Sequence, residues 1–261
     1  MKNLKPVLVI IVPCCNEEEV FPETAKRLSG KIAQLVSNQR ISPRSTLLFV
    51  DDGSQDNTWP LIEKYHLQNP QVFSGIKLSG NTGHQNALLC GLLFVRNYAD
   101  VTITIDADLQ DDAGAIDKML ETYFSGAEIV LGIRSNRKTD SFFKRTSARF
   151  FYRVMRLLGA GLVENHADFR LMCRETINAL AEYGESDLFI RGIVPKLGFE
   201  TGVVYYNREK RFTGKSKYTL QKMLKLAWLA FTGIGSAREK KGRSKQHPKY
   251  HIEKSFMQGV N

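Results

Sequence analysis

No stretch of this chain approaches the roughly 18 uninterrupted apolar residues that a membrane-spanning helix requires. Ala87–Val95 is too short, and Met223–Ile234 is interrupted by Lys225. No secretory leader is read either, because the apolar run Val7–Val12 meets Pro13 and an acidic cluster, which suits a first strand. Cysteine is scarce. Cys14, Cys15, Cys90 and Cys173 make no C-x-x-C pair and no metal-type spacing with histidine, so a disulfide scaffold is excluded and reduced thiols are expected. RNP, zinc-finger and helix-turn-helix signatures are absent too, so the pI of about 9.4 does not by itself name nucleic acid as a partner.

What is present is a chain of 261 residues, 43% hydrophobic and 25% charged. That is enough for one α/β domain with a substantial core and a small appendage. The net charge of +10 is unevenly placed. Residues 1–133 carry 11 basic and 16 acidic side chains, whereas residues 134–261 carry 26 basic and 11 acidic. Such asymmetry points to an anionic partner for the second half, with phosphorylated substrates, anionic lipid and nucleic acid all qualifying on charge alone.

The first half alternates apolar strands with amphipathic helices. Strands are expected at Val7–Val12, Thr46–Val50, Val72–Leu78, Val101–Ile105 and Ile129–Ile133. Helices are expected at Glu18–Val36, Asp56–Leu67, Gly83–Arg96 and Ala115–Phe124. This rhythm predicts a mostly parallel sheet covered by helices, with ligands at the carboxyl ends of the strands. The second half predicts a helix over Phe142–Leu158, a strand at Phe169–Met172, helices at Arg174–Tyr183 and Leu188–Leu197, a strand at Glu200–Tyr206 and an amphipathic helix at Ser216–Phe231. Residues 1–235 read as one domain, with 1–133 on the donor side and 134–235 on the acceptor side. Residues 236–261 read as a flexible basic tail.

Acidic clusters fall at three strand ends. Asp106-Ala107-Asp108-Leu109-Gln110 follows the fourth strand. Alternation puts Asp106 and Asp108 on one side of an extended segment, where two carboxylates and an amide oxygen suit Mg2+ or Mn2+ bridging to a diphosphate. A solvated turn or a helix cap would explain this cluster equally well if it stood alone. Asp51-Asp52-Gly53-Ser54 with Asp56 ends the second strand, offering acceptors for a nucleobase or ribose, and Asp56 is also placed to cap the next helix. Pro13-Cys14-Cys15-Asn16-Glu17-Glu18 ends the first strand. Acids at a helix N-terminus are favoured by the helix dipole alone.

In this order, the three clusters resemble the family 2 inverting glycosyltransferases of GT-A fold, with their P-x-x-N-E, D-D-x-S-x-D and D-x-D motifs. The resemblance extends to Asn81-Thr82-Gly83-His84-Gln85-Asn86-Ala87, to Asp108-Leu109-Gln110-Asp111, and to Asp168-Phe169-Arg170-Leu171. It includes Arg208, Arg211, Gly214, Ser216, Lys217 and Tyr218, and covers about residues 5–235. The pattern is similar to the dolichyl-phosphate mannose synthase and bactoprenol glucosyltransferase group. Three departures stand out. Cys15 occupies a position that is usually Tyr. Ala113 and Gly114 follow Asp112, where the family often has Pro. No counterpart is read of the two membrane helices into which many bacterial relatives continue.

The resemblance implies transfer of a hexosyl group, with inversion, from a nucleotide sugar to a polyprenyl phosphate. UDP-glucose or UDP-N-acetylglucosamine is the implied donor. Donor contacts would come from Pro13, Cys15, Glu17, Asp51, Asp52, Ser54, Asp106, Ala107 and Asp108. The metal, Mg2+ or Mn2+, would sit on Asp108 and Gln110, with Asp106 beside it. Arg134, Arg137, Arg208, Arg211 and Lys217 would hold the acceptor phosphate, for which forked guanidinium donors are well shaped. Asp106, Arg211 and Lys217 would serve the reaction itself, together with Asp168. Asp168 is the candidate base, yet the acceptor needs little deprotonation, since the second pKa of a phosphate monoester is about 6. An orienting ion pair with Arg170 is the competing role. His84 and His166 read as structural or polar contacts.

The segment Arg134–Arg156 has eight basic residues against Asp140 alone, interleaved with Phe142, Phe143, Phe150 and Phe151. Met223, Leu224, Trp228 and Phe231 form a second apolar face. Such segments suit an anionic bilayer surface, although core packing would explain part of them. A protein peripheral on the cytoplasmic membrane face is expected, with or without a membrane-embedded partner and without nucleic acid. The competing readings are transfer to a glycan or other hydroxyl acceptor, which would need Asp168 as a true base, and a relative that binds nucleotide sugar without catalysis.

Overall fold

The computed structural model describes residues 5–135, 166–184, 188, 190–208 and 248–258. The expected helices Phe142–Leu158 and Ser216–Phe231 lie outside the described residues, as do Arg137, Arg211 and Lys217.

Eight strands form one sheet. They are β1 (Leu8–Cys14), β2 (Thr46–Asp51), β3 (Phe73–Leu78), β4 (Val101–Thr104), β5 (Ile129–Arg134), β6 (His166–Cys173), β7 (Thr201–Tyr206) and β8 (Ile252–Phe256). Their order across the sheet is β7-β5-β6-β4-β1-β2-β3-β8. β1 pairs in parallel with β2 and β4, β2 with β3, and β5 with β7. β6 runs antiparallel between β4 and β5, and β8 runs antiparallel on β3. The sheet is thus mostly parallel and of the GT-A type, as the motifs imply.

β1 is buried along its whole length, as its unbroken apolar run requires of a central parallel strand. Alternation sends Leu8, Ile10 and Val12 to one face and Val9 and Ile11 to the other. The first face is covered by α1 (Phe21–Ser37), α2 (Thr58–Gln68) and α4 (Ala115–Phe124). The second is covered by α3 (His84–Val95) and the helix Arg174–Ala181. Pro22 supplies a preset φ in the first turn of α1, which begins three residues later than the sequence pattern suggests. Gly91 lets α3 settle on the sheet, since a Cβ there would lie 2.7 Å from Ile11 Cγ2.

Two expectations are corrected. Leu188–Leu197 is not one helix. A single turn at Ile190–Ile193 passes into a 3-10 turn at Val194–Lys196, because Pro195 removes a backbone donor. Nor is all of 236–261 a flexible tail, since Ile252–Phe256 closes the β3 edge. Phe256 stacks on His66 at 4.1 Å between centroids and lies 5.3 Å from Trp59, while Lys77 reaches Glu253 at 2.8 Å. The strand is hidden in the sequence by its charges. A register shift at Lys77/Leu78 also breaks its alternation, turning Ile252 to one face and Phe256 to the other. No helix among the described residues is long and apolar enough to cross a membrane.

Candidate active site

The carboxyl ends of β1, β2, β4, β5 and β7 lie along one edge of the sheet, and the antiparallel β6 begins at that same edge. This brings together residues far apart in sequence. Thr104 of β4 pairs with Arg170, and its hydroxyl donates to the Asp168 carbonyl. Asp168 therefore sits beside Asp106.

The loops after β1 and β2 are laced to each other. Asn16, at φ 53°, takes Ser54 Oγ on its N–H at 2.9 Å and accepts from Gln55 N at 2.8 Å. Asp56 accepts from Thr58 N at 3.0 Å and from Glu18 N at 3.1 Å, and the cap position expected of it belongs instead to Asn57. Glu17 N donates to Thr58 Oγ1 at 2.8 Å. Pro13 lies within β1, next to the half-buried Cys15, whose Sγ accepts from Asn81 Nδ2 at 3.1 Å. Gly53 is fixed at φ +68°, and a Cβ there would meet Asn81 N at 2.5 Å. The first three strand-end loops are thus one packed unit.

The paired acids of β2 have different tasks. Asp52 was expected to contact the donor, but its oxygens are committed to the loop after β3. Oδ1 accepts from Thr82 N at 2.7 Å and Thr82 Oγ1 at 2.9 Å, and Oδ2 accepts from Gly83 N at 2.9 Å. Asp51 is fully buried, and its Oδ1 has no hydrogen-bond partner. Burial raises its pKa above the ordinary carboxylate value.

The Asp106–Gln110 loop is anchored from α1, where Thr24 Oγ1 donates to the Ala107 carbonyl at 2.7 Å. Ala107 and Leu109 are buried, and Leu109 adopts φ 57°, a left-handed conformation that a non-glycine residue holds only when its surroundings enforce it. Asp108 Oδ1 accepts from Gln110 N at 3.1 Å. Gln110 Oε1 accepts from Arg208, so two residues expected to bind different ligands bind each other. Arg134, expected on the acceptor phosphate, is instead committed to Asp111 at 3.0 Å and to the Tyr206 hydroxyl at 3.2 Å.

At the centre lies Asp168, 2% exposed. Arg191 grips it bidentately through one edge of its guanidinium, Nε to Oδ1 at 3.0 Å and Nη2 to Oδ2 at 2.6 Å. Arg170 pairs with Oδ1, while Gln85 Nε2 and His84 Nε2 each lie 3.2 Å from Oδ2. Burial opposes its charge, but Arg191, the His84 hydrogen bond and Arg170 overcome that and hold its pKa well below the ordinary value. A carboxylate so held is a poor proton acceptor, and its ion pairs with Arg170 and Arg191 suit the orienting role. His84 also lies 3.5 Å from Asp106 Oδ1. Burial disfavours its cation, yet the Asp168 hydrogen bond and the two carboxylates raise its pKa on balance. Asp106 is pushed up to about 6 by burial, against the pull of His84 and with the repulsion of Asp111, Asp168 and Asp108.

Arg191 had no signal in the sequence, and Gln85 stood only inside the Asn81–Ala87 resemblance without a role of its own. Arg191 sits in a segment that reads as an ordinary helix, and only the turn broken at Pro195 aims it at β6.

The fit of a divalent cation can be judged from these groups. No cluster of three or more His, Cys, Asp or Glu suited to a metal is assembled among the described residues. Asp106 nonetheless keeps a buried oxygen without a hydrogen-bond partner, with Asp108 on the same loop. One or two carboxylates suffice where substrate phosphates complete the coordination shell. The residues fit a cation shared with a diphosphate, not one caged by protein alone.

Comparison with known proteins agrees with this geometry. The family model described as glycosyl transferase family 2 matches residues 9–180. The uncharacterized glycosyltransferase YkoT of Bacillus subtilis is 50% identical over 237 residues, covering 91% of this chain and 70% of the relative. A bactoprenol glucosyl transferase of Shigella phage SfX is 33% identical over 229 residues, covering 87% and 72%. Among solved structures, glucosyl-3-phosphoglycerate synthase from Mycobacterium tuberculosis, in complex with Mn2+, UDP-glucose and phosphoglyceric acid, superposes with a TM-score of 0.52 at 15% identity, covering 97% of this chain and 89% of that one. A mannosyltransferase from Pyrobaculum calidifontis with GDP-mannose and Mn2+ gives 0.51 at 15% identity, covering 93% and 77%. The structural likenesses speak for the GT-A fold. With the family match and the sequence relatives, they place the strand-end acids in a known frame: the chain belongs to glycosyl transferase family 2, is of the bactoprenol glucosyltransferase type, and is a glycosyltransferase.

Proposed function

We propose that the protein transfers a hexosyl group from a nucleotide sugar, UDP-glucose or UDP-N-acetylglucosamine, to a polyprenyl phosphate with inversion at the anomeric carbon. The observation that carries this reading is the grip of Arg170, Arg191 and His84 on Asp168 beside the Asp106–Gln110 loop. It is a polar, cation-rich centre in which, among the described residues, Asp168 is not free to serve as a base. An acceptor that arrives ionised needs none, and a phosphate monoester is mostly dianionic near neutral pH. Support also comes from the bactoprenol glucosyl transferase relatives and from the nucleotide sugars and Mn2+ in the structural neighbours.

In this reaction an oxygen of the acceptor phosphate bonds to the anomeric carbon, the bond to the diphosphate breaks, and nucleoside diphosphate leaves. Asp51 accepts from the nucleobase, with Pro13, Cys15, Glu17 and Ser54 around it. Asp106, Ala107 and Asp108 line the sugar and diphosphate. A divalent cation on Asp108, with Gln110 once that side chain parts from Arg208, would neutralise charge growing on the leaving diphosphate. Asp168 keeps Arg170 and Arg191 in place without taking a proton. Arg208, Arg211 and Lys217, with Arg137, draw in the acceptor phosphate. The basic aromatic segment Arg134–Arg156 brings the protein to the anionic surface where that phosphate lies.

The test is a screen of nucleotide sugars for Mn2+-dependent transfer to short polyprenyl phosphates. Asp108→Ala should abolish transfer while thermal unfolding stays unchanged. Arg211→Ala and Lys217→Ala should raise the acceptor requirement and leave UDP binding intact. Full activity in EDTA, or transfer only to hydroxyl acceptors, would refute the reading.

A further inference from the structure

Asp111 closes the far end of the Asp106–Gln110 loop, and its surroundings are unusual for an acid that contacts no expected ligand. It is 4% exposed. Its Oδ1 accepts from Tyr206 Oη at 2.6 Å, from Arg134 Nη2 at 3.0 Å and, at longer range, from Arg134 Nε at 3.3 Å. Arg134 Nε also donates to Tyr206 Oη at 3.2 Å, so the three side chains close a ring. Asp111 Oδ2 is buried and has no hydrogen-bond partner. A bare carboxylate oxygen in the interior is costly, and a site serving packing alone would be better filled by an amide or an apolar side chain.

The partners have a particular place in the fold. Arg134 is the last residue of β5 and Tyr206 the last of β7, and they are paired in register. Ser135 N donates to the Tyr206 carbonyl at 2.8 Å, which fastens the two strand ends once more. Tyr206 is also set by an edge-on contact with Phe169, 5.2 Å between centroids, one residue from Asp168. From these strand ends the sequence enters two strongly basic stretches, Arg134–Arg156 and Arg208–Lys225.

We propose that Asp111 is a positioning residue, which through Arg134 and Tyr206 clamps the metal-binding loop to the strand ends from which both acceptor-binding segments depart. The inference rests on the function proposed above. It moves Arg134 from the acceptor phosphate to the clamp. Charge-assisted hydrogen bonds to a forked guanidinium fix angle as well as distance, which a loop holding two carboxylates toward a diphosphate requires. With Thr24 holding Ala107 from the α1 side, the loop is fastened at both ends.

The experiment uses the full chain carrying Tyr206→Phe, which keeps the ring and its contact with Phe169 and removes only the hydroxyl. Asp111→Asn is the second variant, retaining an acceptor oxygen but losing the charge. Mn2+ binding in the presence of UDP is followed by electron paramagnetic resonance, alongside transfer kinetics and thermal unfolding. Loss of a hydrogen bond to a charged group corresponds to roughly a tenfold change. The half-saturating Mn2+ concentration should therefore rise by about tenfold and kcat should fall, with the KM for acceptor less affected and UDP binding without metal unchanged. Arg134→Lys should fall between the parent and Arg134→Ala. Unchanged Mn2+ binding and kcat in both Tyr206→Phe and Asp111→Asn would overturn the clamp, whatever happens to the unfolding midpoint. A parent protein that binds Mn2+ with UDP but transfers nothing would sink the functional reading alone, because the Mn2+ comparison still decides the clamp. A parent that binds no Mn2+ would sink both.

Discussion

Replacing Asp168 by Asn would remove one negative charge and leave the shape of the site almost unchanged. Arg170 and Asp168 are 1% and 2% exposed, so solvent screens their attraction little. Taking the charge from one member of a buried pair costs about 3–5 kcal/mol, because the remaining cation stays desolvated and unpaired. In a domain of this size each kcal/mol lowers the unfolding midpoint by about 2–4 °C, so calorimetry near pH 7 should show a drop of roughly 10 °C. The pH dependence has a definite sign. The native pKa of Asp168 is depressed, so its contribution is complete above the unfolded-state value of about 4 and is lost only as the pH falls through the lower native value. The part of the midpoint gap that comes from Asp168's own ionisation should be constant from about pH 6 to 8 and close only in acid, while the part that Asp168 lends to the raised His84 fades as the pH rises through that histidine's native pKa. Transfer should drop by a factor that does not change above about pH 7, where the acceptor is already dianionic. A variant with the parent's midpoint would refute the electrostatic account. One whose transfer recovers as the pH rises would restore Asp168 as a base.

Phe256→Ala should lower the unfolding midpoint by roughly 5 °C, since a half-buried phenyl ring contributes about 2 kcal/mol; an unchanged midpoint in differential scanning fluorimetry would mean that β8 adds nothing to the edge. The protein should co-sediment with anionic liposomes at low salt and less at high salt, each engaged Lys or Arg contributing about 1 kcal/mol. Absence of binding to anionic liposomes at low salt would rule out autonomous attachment.

The strand ends were legible in the sequence because their signals are local. β1 to β5 each follow an apolar run, and each acidic cluster follows its strand directly. The role of Asp168 was legible only as a choice between two tasks, because the choice depends on Arg191 and His84, which reach it from other elements. The same holds for Asp52, Arg134 and Gln110. Each belongs to a residue type that binds ligands, and each found a protein partner that spacing along the chain does not reveal. β8 was missed for a further reason: its apolar residues are few, and a register shift spoils their period.

That last strand bears on how the protein is made. Lys77 and Glu253, joined across the β3–β8 pair, are 176 positions apart in the chain. β1, β2, β3 and β4 can assemble from the first hundred or so residues, but the outer edge of β3 waits until about 176 further residues have been synthesised. At about 5–20 residues per second the interval is roughly 10–40 s. Throughout it β3 presents an unpaired edge, a template for strand addition by any neighbouring chain. Closing so long a loop comes late in folding, after the local βα units have formed. Polysome crowding and chaperone supply should therefore govern the yield of native protein through this edge more than through the β1–β2–β4 centre of the sheet, which is complete in the nascent chain long before Phe256 emerges.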